Sequence, residues 1–371
     1  MRYKGLTLAK KVALEIERKL HSDIVRRHPL TQVFWECTLR CDLRCRHCGS
    51  DCKTKAEAAD MPVENFLGVL RSISRKYDPH QVFVTISGGE PLMRQDLEEC
   101  GRRIYEMGFP WGIVTNALHL TPERFGRLVD AGLHAVAVSL DGLESDHNWM
   151  RGNERSFGMV EQAIGLLRNQ PLVVWDVVTC ATERNIGTLS QLRDWLIAHG
   201  VEDWRLIDVF PLGRAASDPQ MILSDEHYHD LLDFILDTQR NCPEISVNYG
   251  CEGFVGEYEL DVRPHAFFCH AGVTVAGILA DGGISACTSI RSDYTQGNIY
   301  HDDFLEVWEN KFQPYRDHSW MKTGPCADCN VWRYCQGNGM HLRDGKGNLL
   351  QCHLERMVRG IHKKNIINAK S

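Results

Sequence analysis

The sequence lacks the features of several large classes of protein. No uninterrupted apolar run approaches the roughly 18 to 20 residues that cross a lipid bilayer, so we expect no membrane span. The first thirty residues lack the apolar core and the small-residue cleavage site of an export signal. The formal net charge is −7, whereas proteins that bind nucleic acids usually carry an excess of positive charge. These absences favour a cytoplasmic globular protein that does not bind nucleic acid.

Cysteine, by contrast, is abundant, with 15 among the 371 residues. Disulfide bonds are not expected without an export signal, because the cytosol keeps thiols reduced. Clustered cysteines in such a chain more often bind metal. Eleven of them form two groups here, one between residues 37 and 52 and one between residues 269 and 352. The sequence therefore predicts two metal or iron–sulfur sites.

Apolar, β-rich runs alternate with helical segments over the first 215 residues. Most of the runs are continuously apolar, as in a parallel sheet that is covered on both faces. Six such units predict either an open doubly wound sheet or a partial barrel, and in both folds chemistry gathers at the carboxyl ends of the strands. The predicted strands are 32–38, 82–86, 111–115, 135–140, 172–179 and 204–210, and the predicted helices after the N-terminal one are 61–77, 96–107, 121–131, 157–168, 186–199 and 223–240.

The same pattern divides the chain into four parts. The first is a helical segment in which Leu8, Val12, Leu14, Ile16 and Leu20 lie roughly on one side, and this side either packs on the main domain or binds a partner. The last part has poor periodicity and many glycines and cysteines, so we expect clusters or metal ions to stabilise it in place of a large core. The predicted parts are 1–30 (helical), 31–215 (α/β), 216–265 (bridging) and 266–371 (loop-rich).

Three cysteines of the first group, Cys41, Cys45 and Cys48, are spaced C-x3-C-x2-C in the loop after the first predicted strand. A structural zinc ion takes four ligands, usually from paired C-x2-C turns. Three thiolates from one short loop instead suit three corners of a [4Fe–4S] cluster, whose fourth iron can then bind a substrate or cofactor. The neighbouring Cys37 and Cys52 are assigned to core and loop packing.

The segment CDLRCRHC resembles the cluster motif of the radical S-adenosylmethionine (radical SAM) enzymes, with His47 where the family has an aromatic residue. The elements SGGEP (87–91) and VSLDG (138–142) resemble further family motifs and end the second and fourth predicted strands. The resemblance implies a TIM-like partial (β/α)6 barrel that cleaves S-adenosylmethionine (SAM) reductively. The resulting 5′-deoxyadenosyl radical would abstract a hydrogen atom from a substrate. A flavodoxin- or ferredoxin-type protein would supply the electron.

The same resemblance implies which residues contact SAM. Gly88, Gly89 and Glu90 would meet the methionine amino group, since glycines allow close backbone approach and an acid suits an ammonium. Ser139 would contact the ribose. Arg151 would lie near the methionine carboxylate, a pairing that the guanidinium geometry favours.

The C-terminal cysteines resemble the SPASM extension of radical SAM peptide and protein maturases, which binds auxiliary iron–sulfur clusters. The resemblance implies at least one auxiliary cluster, of the [4Fe–4S] type. A zinc ribbon is the alternative for the last four cysteines. The residues that form the pattern are Cys269, Gly282, Cys287, Cys326, Cys329, Cys335 and Cys352.

Two positions depart from the family pattern. Gly339 stands where the SPASM motif has a further cysteine, so the proximal auxiliary site keeps only two obvious ligands. Cys251 or His270 could complete that site, or its cluster is missing or smaller. Thr288 stands where anaerobic sulfatase maturases have a catalytic aspartate, so oxidation of a sulfatase to formylglycine is not expected.

Three functions remain open on this basis. The leading hypothesis is a radical SAM/SPASM enzyme that modifies a peptide or protein by crosslinking or epimerisation. The second is radical SAM modification of a small molecule, such as a tetrapyrrole side chain. The third is a non-catalytic iron–sulfur electron-transfer protein, under which the SGGEP and VSLDG elements would have no purpose. Cleavage of SAM would separate the first two from the third.

Overall fold

Ten strands form one continuous sheet in the part of the chain that the structure describes. The structure is a computed structural model that describes residues 2–50, 52–55, 59–250, 252–290 and 293–368, with side chains as far as residue 361. The strands are β1 (Gln32–Thr38), β2 (Phe83–Gly88), β3 (Trp111–Thr115), β4 (Leu133–Ser139), β5 (Val174–Ala181), β6 (Asp203–Asp208), β7 (Ser246–Tyr249), β8 (Val275–Ile278), β9 (Gly283–Ser285) and β10 (Gly297–Asn298).

The strand order is β10-β9-β8-β1-β2-β3-β4-β5-β6-β7. Strands β1 to β6 are neighbours in chain order and all run parallel, as the alternating pattern predicts. Two more parallel strands extend the sheet, β7 beside β6 and β8 beside β1. The α/β partial barrel with a loop-rich C-terminal domain is confirmed. Strands β7 to β10, all beyond residue 215, belong to the same sheet. The predicted boundaries of the four parts of the chain stay predictions.

The described helices surround this sheet, and none of them combines the length and apolar character needed to cross a bilayer. Several begin at a residue whose hydroxyl accepts a hydrogen bond from the first turn, which stabilises the helix start. Thr7, Thr121 and Ser224 have this role. The helices are α1 (Leu8–Arg27), α2 (Val63–Ile73), α3 (Leu97–Glu106), α4 (Pro122–Asp130), α5 (Glu144–Arg151), α6 (Ser156–Leu167), α7 (Leu189–Ala198), α8 (Asp225–Asn241), α9 (Phe304–Asn310), α10 (Gln313–Arg316), α11 (Trp332–Cys335) and α12 (His353–Asn368).

Helix α5 is absent from the sequence prediction. Its sequence, ESDHNWMR, has no apolar residues at helical spacing, which is the signal on which such predictions depend. Five of its eight residues are nevertheless buried, and four of those five are polar or charged. These polar groups are paired with neighbouring segments: Asp146 accepts from Arg184, His147 accepts the Asp141 N–H, and Arg151 pairs with the Asp141 carboxylate. The helix matters for the site, since it carries Arg151.

The N-terminal helix α1 packs through a different face from the one predicted. Of the five apolar residues assigned to one side, only Leu14 is buried. Leu8, Val12, Ile16 and Leu20 are 54% to 78% exposed. These four recur every fourth residue and so share one side, whereas Leu14 is offset from its neighbours by two residues and points the other way. The prediction of a single apolar face is therefore wrong.

A buried ion pair joins the C-terminal helix to the barrel. Asp208, at the end of β6, accepts hydrogen bonds from Arg356 and Gln351 and lies 3.5 Å from Nε2 of His353. Burial alone would raise the pKa of Asp208, but the Arg356 guanidinium holds it below its usual range. Asp208 lies at a strand end, where active-site residues are expected in this fold class. Its carboxylate is instead used in the ion pair with Arg356.

Candidate active site

A cavity of about 140 Å³ opens at the carboxyl ends of the parallel strands, where this fold class places its chemistry. The predicted contact residues reach it from the cysteine loop after β1, from the ends of β2 and β4 and from the end of α5. All eight residues predicted to bind the first cluster or SAM line this cavity, namely Cys41, Cys45, Cys48, Gly88, Gly89, Glu90, Ser139 and Arg151. Its remaining walls are formed by Leu43, His47, Cys52, Val114, Thr115, Asn116 and Arg214.

Two glycines allow the end of β2 to lie directly against the cysteine loop. A Cβ atom on Gly88 would overlap the carbonyl oxygen of Thr38, and one on Gly89 would overlap that of Arg40. Gly88 also has a φ of 139°, which side-chain-bearing residues rarely adopt. Two hydrogen bonds hold these segments together. Gly89 N–H donates to the Thr38 carbonyl (2.8 Å), and Glu90 N–H donates to the Arg40 carbonyl (2.9 Å).

Arg214, which the sequence reasoning missed, binds the cysteine loop through three carbonyl groups. Its Nε donates to Cys45 O (2.7 Å), its backbone N–H to Cys48 O (3.1 Å) and its Nη1 to Cys52 O (3.4 Å). The preceding Gly213 has a φ of 58° and packs against the Cys48 carbonyl. The PLGRA turn after β6 was the available signal, but nothing in it singles out the arginine.

The thiols in the cavity ionise unequally. Burial raises the pKa of Cys41 to about 12 and also raises that of Cys45, whereas a hydrogen bond with the Cys52 thiol lowers that of Cys48. Iron binds thiolates, so binding must offset the cost of ionising two buried thiols. Cys37 is fully buried in β1, as expected. Cys52 was assigned to loop packing, but its side chain also lines the cavity beside Cys48.

A buried ion pair positions Arg151 at the edge of the cavity. Its Nε lies 2.7 Å from Oδ2 of Asp141, and its Nη1 lies 3.7 Å from the sulfur of Cys45. Asp141 also accepts the Cys180 N–H (3.1 Å) and lies 4.0 Å from Nε2 of His47. Burial would raise the pKa of Asp141, but the neighbouring Arg151 keeps it below its usual range. Asp141 therefore stays ionised and holds the guanidinium beside the cysteines.

Glu90 lies in the floor of the cavity, almost fully buried. Its Oε1 accepts hydrogen bonds from the Thr115 hydroxyl (2.7 Å) and the Leu92 N–H (3.0 Å), and its Oε2 accepts the Asn116 N–H (2.8 Å). Burial nevertheless raises its pKa to about 7. A cation placed beside this carboxyl would favour the ionised form.

The residues present fit an iron–sulfur cluster with a second cofactor beside it. Three thiols from one loop share the cavity with a glycine-lined wall, a buried acid and a buried guanidinium. Nδ1 of His47 is buried at the cavity and has no hydrogen-bond partner in the described structure. Buried polar atoms are rarely left unpaired, so an orphaned one at a cavity indicates a missing ligand.

The last four cysteines, Cys326, Cys329, Cys335 and Cys352, share one environment. Burial raises the pKa of Cys352 to about 11, and the nearby Cys326 and Cys329 add to the increase. Burial and the neighbouring Cys352 likewise raise the pKa of Cys335. No three of these described thiols converge to within 4.8 Å of one another, whereas thiolates on a single zinc ion lie about 3.8 Å apart. This arrangement does not match a single zinc ion, and the SPASM-type pattern implies a cluster instead, in which each thiolate binds a different iron.

The proximal site is less complete. Cys269 and Cys287 lie close enough that the Cys287 charge contributes, after burial, to raising the pKa of Cys269. At Gly339 a Cβ atom would lie 2.6 Å from the imidazole of His341, so this ring fills the space of the missing cysteine side chain. Nε2 of His341 lies 3.2 Å from Oε2 of Glu252.

Of the two residues named as possible substitute ligands, His270 lies in the part of the chain that the structure describes. Nδ1 of His270 lies 2.9 Å from the Thr274 hydroxyl, and its ring packs edge-on against Phe268. Cys251 lies outside the described residues. The described residues therefore bring two thiols together, which does not fit a cluster held by four thiolates. An altered proximal site stays a prediction.

We expect the Cys335→Ala variant to lose about four iron atoms per chain, because one thiolate of a four-thiolate cluster is removed. Metal analysis by mass spectrometry after anaerobic reconstitution measures this. The matched control is Cys242→Ala, since Cys242 lies at the end of α8 and outside both cysteine groups of the sequence. Loss of one zinc ion with unchanged iron would instead identify a zinc ribbon.

Two protein-family models match the chain, in the order that the two cysteine groups predict. Residues 35–196 match the radical SAM superfamily. Residues 269–330 match the SPASM iron-sulfur cluster-binding domain. The first match runs from within β1 into α7 and includes every cavity-lining residue except Arg214, and the second begins at Cys269.

Known proteins resemble the chain over most of its length. The AdoMet-dependent heme synthase of Methanosarcina barkeri is 25% identical over 86% of this chain and 94% of its own. The mycofactocin maturase MftC of Mycolicibacterium smegmatis is 26% identical over 83% of this chain and 77% of its own. The structure of anSMEcpe with bound AdoMet and a Cp18Cys peptide has the same fold, with a TM-score of 0.68 at 19% identity, covering 92% and 98% of the two chains.

The fold, the three-cysteine cavity and these matches define a radical SAM enzyme. More particularly, the chain belongs to the radical SAM enzymes with a C-terminal SPASM domain, and its cofactors are S-adenosylmethionine and iron–sulfur clusters. The interpretation as a non-catalytic electron-transfer protein is wrong.

Proposed function

We propose that this enzyme modifies a peptide or protein, from which the 5′-deoxyadenosyl radical abstracts a hydrogen atom. The observation that carries the proposal is the similarity to a mycofactocin maturase through both domains, over 83% of the chain. The shared fold with a SAM- and peptide-containing structure is compatible with it. The electron would come from a flavodoxin- or ferredoxin-type protein.

The residues of the cavity bind, orient and shield the cofactors in this proposal. When bound, the cluster and SAM supply the one-electron chemistry that generates the radical. The apolar Leu43 and Leu118 pack beside the cysteines and keep water from the cavity. The assigned contacts are Cys41, Cys45 and Cys48 to the cluster, Gly88, Gly89 and Glu90 to the amino group, Ser139 to the ribose and Arg151 to the carboxylate.

We expect the affinity for SAM to increase as the pH rises through about 7, where Glu90 titrates. The ammonium group binds the ionised carboxylate, so binding below this pH must first remove a proton from Glu90. Calorimetry at pH 6 and pH 8 with reconstituted protein measures the difference. In Glu90→Gln this pH dependence should disappear. An unchanged pH profile in that variant would show that Glu90 does not contact the amino group.

Modification of a tetrapyrrole is the second candidate. The observation that favours it is the similarity to heme synthases, one of which matches over 94% of its own length. Both candidates use the same SAM cavity, and they differ only in what the radical attacks.

One anaerobic experiment tests both candidates. The reconstituted enzyme receives SAM and dithionite, with either the product of a small open reading frame beside its gene or iron coproporphyrin III. We expect 5′-deoxyadenosine together with a mass change in the peptide. A mass change in the tetrapyrrole alone would reject the peptide proposal, and no 5′-deoxyadenosine with verified clusters would reject both.

A further inference from the structure

The outer side of α1 carries a row of four large apolar side chains that face solvent. Leu8, Val12, Ile16 and Leu20 are each more than half exposed. They recur every fourth residue, so they form an apolar stripe about 18 Å long. Large aliphatic side chains are rarely exposed to this degree elsewhere in the described chain. A contiguous apolar row on a surface helix is typical of an interaction surface.

The inner side of α1 is already packed against the rest of the protein. Leu14 is buried, and it lines a cavity of about 660 Å³ together with His21 and Val25 of the same helix. Cys269 and Cys335 line the opposite side, so this cavity belongs to the auxiliary-cluster region. No residue of the apolar stripe lines this cavity or the SAM cavity. Neither helix packing nor the cofactor sites therefore account for the stripe.

Cations flank the apolar stripe. The charged side chains of α1 that are exposed are all basic, namely Lys11, Lys19, Arg26 and Arg27. Lys11 and Lys19 each lie three positions after a stripe residue, and residues at this spacing are neighbours on a helix surface. Neither lysine forms an ion pair with another described residue.

The acids of α1 are already paired. Glu15 lies 3.0 Å from Arg18 and 2.7 Å from Arg333. Asp23 lies 2.7 Å from Arg27 and also contacts Arg26, so one carboxylate serves two cations. The outer side of α1 is therefore positive although the whole chain has a net charge of −7. A positive surface of this kind attracts an acidic partner and disfavours a basic one.

These observations favour one kind of occupant over two others. A second copy of the chain would bring its own lysines beside Lys11 and Lys19, and like charges at an interface are unfavourable. A membrane would attract the lysines but repel the net charge of −7, and the stripe lacks the Trp and Phe side chains common on membrane-surface helices. A row of residues at i, i+4 and i+8 is a ridge that packs into the groove of another helix.

We propose that the apolar stripe of α1 docks an amphipathic acidic helix of a partner protein or peptide. The apolar face of that helix covers the stripe, and its glutamates or aspartates pair with Lys11 and Lys19. Grooves and ridges of this kind recognise helices through apolar anchors at positions i, i+3, i+4 and i+7. The docked helix belongs to the substrate or to a separate protein, so the proposal stands apart from the proposed function.

Binding to the reconstituted holoenzyme, without SAM, tests the docking surface. The probe is a fluorescein-labelled helical peptide of about 18 residues, with leucines along one face and glutamates beside them, and its counterpart has glutamine in place of glutamate. We expect the glutamate peptide to bind at least about tenfold more tightly by fluorescence anisotropy. Added salt should reduce this difference, because the lysines are exposed.

An apolar pair of variants places the binding on the stripe. Val12→Ser with Ile16→Ser should weaken binding at least about tenfold. Serine has a helix propensity close to that of valine and isoleucine, so the helix itself is retained. The matched control is Leu172→Ser with Val174→Ser, two exposed apolar residues at the start of β5, which should leave binding unchanged.

A charged pair of variants tests the acidic character of the partner. Lys11→Gln with Lys19→Gln should abolish the preference for the glutamate peptide, whereas Lys11→Arg with Lys19→Arg should keep it. All these side chains are exposed and lie outside both cavities, so each variant should retain its iron and its cleavage of SAM. These two measurements exclude misfolding as the cause of lost binding.

Four results would overturn the proposal. The first two are equal binding of the glutamate and glutamine peptides, and peptide binding that Val12→Ser with Ile16→Ser leaves unchanged. The third is binding to phosphatidylserine vesicles, but not to the peptide, that this variant abolishes, which would assign the stripe to a membrane. The fourth is dimerisation of the free protein that the same variant abolishes, which would assign it to a second copy. None of them affects the proposed function, because SAM cleavage and peptide modification are measured separately.

Discussion

Replacing Cys41, Cys45 and Cys48 together by alanine is expected to reduce 5′-deoxyadenosine formation at least about a thousandfold, equivalent to about 4 kcal/mol in activation free energy. The three thiols lie in one loop at the cavity and have the spacing of the predicted cluster motif. Without them the iron is lost and no electron reaches SAM. Chromatography of anaerobic reactions with dithionite measures the product.

Cys52 provides the sharpest control for this prediction. It lines the same cavity, and its thiol hydrogen-bonds to Cys48. If the cluster is held by three thiolates, Cys52→Ala should retain the iron and lose less than about tenfold in rate, since only one hydrogen bond is removed. Loss of the cluster in Cys52→Ala would show that the ligand set is larger than the C-x3-C-x2-C motif.

Substitution of Asp141 by asparagine should lower the free energy of unfolding by about 3–5 kcal/mol. The change leaves the buried Arg151 guanidinium without its carboxylate, 2.7 Å away in the unchanged protein. Water cannot compensate, because Asp141 is completely buried and Arg151 nearly so. Urea unfolding of the cluster-free protein under reducing conditions measures the effect, so that loss of iron does not contribute.

An exposed ion pair on the same sheet is the matched control. Asp176 of β5 pairs with Arg205 of β6, whose side chain is half exposed. Asp176→Asn should therefore cost less than about 1 kcal/mol. The double variant Asp141→Asn with Arg151→Met should recover part of the loss, because the unpaired charge is removed as well. Equal losses in Asp141→Asn and Asp176→Asn would refute the buried-pair interpretation.

The pH dependence of stability follows from the same pair. Arg151 holds the pKa of Asp141 below its unfolded value, so the folded state releases this proton more readily than the unfolded state. The stabilisation is fully present above the unfolded pKa and decreases as the pH falls through the folded pKa. Asp141→Asn should lack this contribution to the acid-induced loss of stability.

The sequence by itself determined the parts of this protein that depend on local pattern. The C-x3-C-x2-C loop, the SGGEP and VSLDG elements and the C-terminal cysteines are spaced along short segments, so their spacing is visible without a fold. The six strands were also readable, since buried parallel strands are continuous apolar runs. The resemblance to the radical SAM motifs then named eight contact residues, all of which line one cavity in the structure.

The tertiary structure alone decided the contacts between segments that are distant along the chain. Arg214 reaches the cysteine loop from 169 positions away, and Asp141 becomes a partner of Arg151 only because α5 folds back over the strand end. The face of α1 that packs depends on its neighbours, and of the five apolar residues placed on one side only Leu14 is buried. The cavity of about 660 Å³ beside α1 is formed by that helix and segments beyond residue 265. Such pairings leave no periodic signal in the sequence, because they depend on how distant segments pack together in the folded protein.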